Sequence, residues 1–131
     1  MSRIPAGIGE EIAEEALRCA LEDRCLGGSW RGLARGLAWR VVSAGERNSH
    51  SVEMLANTAE AILVSLIDEA LWDVERVAVR AWQQSFEARP GDKAGALTAA
   101  RLHADEESVR LVDSACERVL ETLLAVSRRA A

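Results

Sequence analysis

Apolar residues recur along this chain at intervals of three and four, the spacing of amphipathic helices, and no stretch alternates as a strand would. Four helical segments follow. The first runs from about Gly9 to Leu26, with Ile8, Ile12, Ala16, Cys19 and Ala20 on one side. Glu10, Glu11, Glu14 and Glu15 crowd its opening turns, where the helix dipole favours negative charge. Gly27-Gly28 ends it. Ser29 is placed to cap a second helix carrying Trp30, Leu33, Ala34, Leu37, Ala38 and Val41. That pattern fades between Gly45 and Asn48, and Asn48 to Ser51 offers polar caps for a third helix.

The third segment is long, from about Ser51 to Ala88, lined by Val52, Leu55, Ala59, Ile62, Leu66, Ala70, Val77 and Ala81. Pro90-Gly91-Asp92 is the clearest turn in the chain. A fourth helix from about Asp92 to Arg128 carries Leu102, Val109, Val112, Cys116, Val119, Leu120 and Leu123. Helices of this length reach roughly 50–57 Å, and a short turn makes them antiparallel neighbours. The expected fold is all-α and four-helix bundle-like, built on a long antiparallel hairpin with two shorter N-terminal helices, in one domain spanning 1–131. The short helices could fold as a hairpin or lie end to end, and the pattern leaves both open.

Composition agrees with this reading. The chain has 131 residues, 49% of them hydrophobic, enough for one core. With no Tyr and a single Phe, β-favouring aromatics are scarce, and the abundant Ala, Leu, Arg and Glu favour helix. No run of about 18 uncharged apolar residues predicts a membrane span. Arg3 is not followed by an apolar leader, so a cytoplasmic protein is expected. The net charge of −5 disfavours broad nucleic-acid binding, although it leaves a local basic patch open. Arginine outnumbers lysine so heavily, with Lys93 alone, that a GC-rich bacterial-type coding sequence is the simplest cause. Cys19, Cys25 and Cys116 form no disulfide framework and read as small half-buried hydrophobes.

Candidate chemistry is thin. Five arginines between Arg24 and Arg47 face one acid there, Glu46. The simpler explanation is pairing with the acidic first helix. The functional alternative is an anion or phosphate site at the second helix, using Gly28, Ser29, Arg31 and Arg35. Gly28, Gly32 and Gly36 recur every fourth residue, which predicts close approach of another helix. His50 with Glu53, and His103 with Glu106, have helical spacing but no further ligands, so no metal or cofactor is expected. Asp105 falls within the stripe of Leu102, Val109 and Cys116, where an acid demands a partner; Arg76 or Arg80 is the expected one. The same position makes Asp105, with Asp73, a weak candidate for acid-base catalysis.

The segment from Leu71 to Trp82 is apolar nearly all round. Trp72, Val79 and Trp82 point away from the main stripe and predict a contact between chains. The resulting expectation is a helical interaction module, a homo-oligomer, most simply a dimer, that binds another macromolecule such as a protein partner. An enzyme or anion-binding protein with a site between the basic helix and buried acids ranks second, and a nucleic-acid-binding regulator third. Substrate, partner and pathway are not legible.

Overall fold

The computed structural model describes residues 4–24, 29–43 and 51–129. Its order is α1 (Ile8–Glu22), α2 (Trp30–Ser43), α3 (Val52–Ala88) and α4 (Lys93–Arg129), with no strand among the described residues. The all-helical expectation holds, with packing compatible with a helical bundle. No described helix is long and apolar enough to cross a membrane. Cys25, Gly27, Gly28, Gly45 to Asn48 and His50, which entered the sequence reading, lie outside the described residues.

Each helix starts where a side chain or turn supplies its first hydrogen bonds. Gly7 takes a positive φ of 88°, and the Glu11 amide donates to its carbonyl at 3.0 Å. Ser29 Oγ accepts from the Gly32 amide at 3.3 Å, confirming it as the cap of α2. Ser51 Oγ does the same for Met54 at 3.2 Å. Asp92 Oδ1 accepts from the Gly95 amide at 2.9 Å, just after Gly91 has turned the chain with φ 88°. The first helix stops at Glu22, short of the expected Leu26. The Arg24 amide donates to the Leu21 carbonyl, tightening the last turn.

The chain divides into two compact units: Met1–Ala20 with Asp68–Leu111, and Leu21–Ile67 with Val112–Ala131. The second unit has a core of large aliphatics. From α2 come Leu33, Leu37 and Val41, from α3 Leu55, Leu63 and Ile67, and from α4 Val112, Val119 and Leu123. The α2 stripe read from the sequence is the one that is buried.

The first unit is built differently. Its core is mostly alanine: Ala13, Ala16 and Ala20 from α1, Ala70, Ala78 and Ala81 from α3, and Ala96, Ala100 and Ala104 from α4. Ile12, Leu17, Val74 and Trp82 supply most of the bulk. Small side chains let helix backbones approach closely. Gly9 marks one such approach: a Cβ built there would lie 3.2 Å from Val79 Cγ2 and 3.5 Å from Glu75 Cγ.

This alanine core overturns the expected face in the first half of α4, while Val112, Val119 and Leu123 of the expected stripe are buried further along. The helix buries Ala96, Ala100, Ala104 and Ser108 and leaves Leu102 and Val109 exposed. Leu and Val are more hydrophobic, but only Ala and Ser fit the close seam.

Candidate functional site

The exposed apolar residues of the first unit form its most conspicuous surface feature. Trp72 is 72% exposed, Leu102 55% and Val109 41%. Leu102 and Val109 are seven apart, two turns along one face of α4. The three residues proposed as a contact surface are not alike. Trp72 points outward, Val79 is half-buried beside Gly9, and Trp82 is 5% exposed. Trp82 stacks on Phe86 with ring centroids 6.3 Å apart. It is therefore a core residue, because α3 turns its 74, 78, 81 and 82 positions inward together. Its indole nitrogen and the Ser108 hydroxyl are buried without a hydrogen-bond partner.

Both helices also carry short ion pairs near these residues in sequence. Arg76 donates to Asp73 Oδ1 at 2.9 Å, and Arg110 donates to Glu107, each an i, i+3 pair with exposed arginine. Asp73 is thus spent on its own helix, and Arg76 with it.

Asp105 is exposed, not embedded in a core stripe. The stripe of Leu102 and Val109 that contains it is the outward one, which corrects the expected buried pairing with Arg76 or Arg80. Asp105 lines a cavity of about 350 Å³ with Ile12, Glu15, Ala16 and Cys19 of α1 and Arg101 of its own helix. Partial removal from water holds its carboxyl above the ordinary range, the neighbouring Glu15 raises it further, and Arg101 opposes both. Glu15 and Arg101 were not singled out by sequence. Their only signal is that Glu15 belongs to an acidic run on the helix that packs here.

Arg31 and Arg35 of α2 line a second cavity, of about 340 Å³, facing Glu53, Ala56, Asn57 and Glu60 of α3. Arg31 Nε reaches Glu60 at 3.5 Å. Arg31 of the basic helix thus finds a counter-charge on α3, with Glu53 lining the same cavity. Ser29 is the helix cap. The two cavities share no lining residue, and neither joins Asp105 or Asp73 to the α2 arginines.

The glycine expectation also shifts. Gly36 is exposed, with nothing within 4 Å of a built Cβ. Close approach occurs at Gly9 instead, against Val79. Among the described residues no group of three His, Cys, Asp or Glu side chains is arranged to hold a metal ion. His103 is exposed.

No protein-family model, curated protein or solved structure matches this chain.

Proposed function

We propose that this protein is a helical interaction module that self-associates, most simply as a homodimer, through the face bearing Trp72, Leu102 and Val109. In this reading α3 and α4 form a long antiparallel hairpin that carries the face, with α1 and α2 as shorter supports. The observation that carries it is the 72% exposure of Trp72 in the same unit as two other exposed large apolar residues. Tryptophan is the residue most enriched at the energetic centres of interfaces, and large apolar side chains left in water favour a partner.

In this reading the occupant is a second copy of the chain. This reading takes the chain to act in the cytoplasm. A further protein partner would bind the assembled dimer.

The test is light scattering during size-exclusion chromatography across micromolar concentrations. Twice the 14.2 kDa chain mass is expected, with Trp72→Glu returning the chain to monomer. A wild-type chain that stays monomeric throughout would overturn the reading. The second reading, anion binding at Arg31 and Arg35, draws on the cavity those residues line. Glu53 and Glu60 in the same wall weigh against it. Phosphate titration followed by calorimetry decides it, and the same assay with DNA at rising salt tests the nucleic-acid alternative.

A further inference from the structure

We propose that copies of this chain also meet through a charged contact, in which the acidic outer face of α1 in one copy docks on the basic outer face of α2 in another. This contact presupposes the self-association read above, but not the Trp72 face.

Charge is sorted by helix in this chain. Between Ile8 and Glu22, α1 carries Glu10, Glu11, Glu14, Glu15 and Glu22 against Arg18 alone. Between Trp30 and Ser43, α2 carries Arg31, Arg35 and Arg40 and no acid. Contacts within the chain neutralise only part of this. Glu15 stands 4.0 Å from Arg18 of its own helix, and Arg31 reaches Glu60 of α3 at 3.5 Å. Glu10, Glu11 and Glu14 are exposed and make no ion pair among the described residues. The same holds for Arg35 and Arg40.

Helix spacing makes each set a continuous face. Glu14 is four residues after Glu10 and three after Glu11, which stacks the three carboxylates on one side of α1. On α2, Trp39 comes four residues after Arg35 and one before Arg40. Around the helix axis its ring therefore falls between the two guanidinium groups. Trp39 is 52% exposed. Gly36, three residues before it, is also exposed and has nothing within 4 Å of a built Cβ. Bare backbone at that point lets another helix lie close. Tryptophan and arginine are both enriched at the energetic centres of interfaces.

The charges favour a second copy as the occupant. A nucleic acid or an anionic membrane would also attract Arg35 and Arg40, but the net charge of −5 repels an extended polyanion. The chain itself supplies the opposite surface: α1 has 15 residues and α2 has 14, so the two faces match in length as well as in sign. A two-fold axis uses such a contact twice, α1 on α2 and α2 on α1. One exposed ion pair contributes little. Several pairs around a covered tryptophan contribute more, and they set partner choice and salt dependence.

The test is sedimentation equilibrium of the full chain, with circular dichroism confirming helix content of every variant. Raising sodium chloride from about 0.05 M to about 0.5 M should weaken wild-type association about tenfold. Arg35→Glu with Arg40→Glu, and separately Glu11→Arg with Glu14→Arg, should each weaken it by at least as much. The first pair makes the chain more acidic and the second less so, and net charge alone would move them in opposite directions. An equimolar mixture of the two variants should regain wild-type association, because each basic face again meets an acidic one. Glu11→Gln with Glu14→Gln covers the case of a misfolded arginine variant, and should flatten the salt dependence. Charge variants that associate as wild type does, or a mixture that fails to recover, overturn the charged contact and leave self-association standing. Loss of binding to phosphatidylglycerol vesicles or to an oligonucleotide in the Arg35→Glu, Arg40→Glu chain, with self-association unchanged, assigns the α2 face to that polyanion and overturns the contact too. A folded chain that is monomeric at every salt concentration overturns self-association itself.

Discussion

Arg24 Nε donates to Asp113 Oδ1 at 2.6 Å, tying the segment just after α1 to α4 within the second unit. The arginine side chain is 20% exposed and the aspartate 57%. The hydrogen bond from Arg24 holds the Asp113 carboxyl below the ordinary range, outweighing a small opposing effect of burial. A carboxyl lowered on folding contributes stability above its unfolded pKa and loses that contribution as pH falls through its folded one. Asp113→Asn should therefore cost a surface-pair amount of stability at neutral pH, about 0.2–1 kcal/mol, seen as a lower melting temperature. The gap to wild type should close once the pH is below the usual aspartate range. A gap that persists in acid would show that Asp113 acts through packing.

Asp105 should behave in the opposite sense. Its carboxyl is raised on folding, so the native chain gains relative stability as pH falls toward that raised value. Asp105→Asn should raise the melting temperature at neutral pH, and its advantage should shrink on acidification. Loss of stability in this variant at neutral pH would restore a buried, paired aspartate.

Ser108 is fully buried and its hydroxyl has no partner. Ser108→Ala should stabilise the protein, by about 1–3 kcal/mol if the whole desolvation penalty is relieved. Chemical denaturation measures this directly, and a destabilised alanine variant would point to an internal water that the hydroxyl holds.

Two glycines in helices should respond in opposite ways. Gly36→Ala meets nothing within 4 Å and should stabilise α2 by about 0.5–1 kcal/mol through helix propensity. Gly9→Leu must displace Val79 and Glu75 and should cost about 1–3 kcal/mol by overpacking. Equal effects at the two sites in thermal melts would contradict the close approach at Gly9.

The tryptophans of α3 should separate folding from association. Trp82→Ala opens a hole in an alanine-rich core and should cost about 3–5 kcal/mol. Trp72→Ala should leave the melting temperature of dilute protein nearly unchanged while weakening self-association. A large stability loss at Trp72 would mean that its ring is covered within the monomer.

What the sequence revealed depended on the size of the buried residues. In α2 the hydrophobic stripe is also the buried stripe, because Leu33, Leu37 and Val41 are both the most apolar residues and the ones that fit. Ser29, Ser51 and the Pro90-Gly91 turn were legible because capping and turn chemistry are local. In α4 the same reasoning held for Val112, Val119 and Leu123 but chose the wrong face in the first half of the helix. Hydrophobicity ranks Leu102 and Val109 above Ala100 and Ala104, but the space available inside admits only the smaller pair. The misplacement of Asp105 and its imagined partner followed from that one choice. Which glycine touches a neighbour was equally illegible, since it depends on the path of α3 past Gly9 and not on spacing within α2.

In α4 the residues that hold the protein together and those that meet its surroundings are separate sets interleaved on one helix. Ala100 and Ala104 tolerate little change, for each added methylene forces the seam apart. Leu102 and Val109 carry no such constraint. That outer strip can therefore be rewritten residue by residue while the architecture beneath it stays as it is.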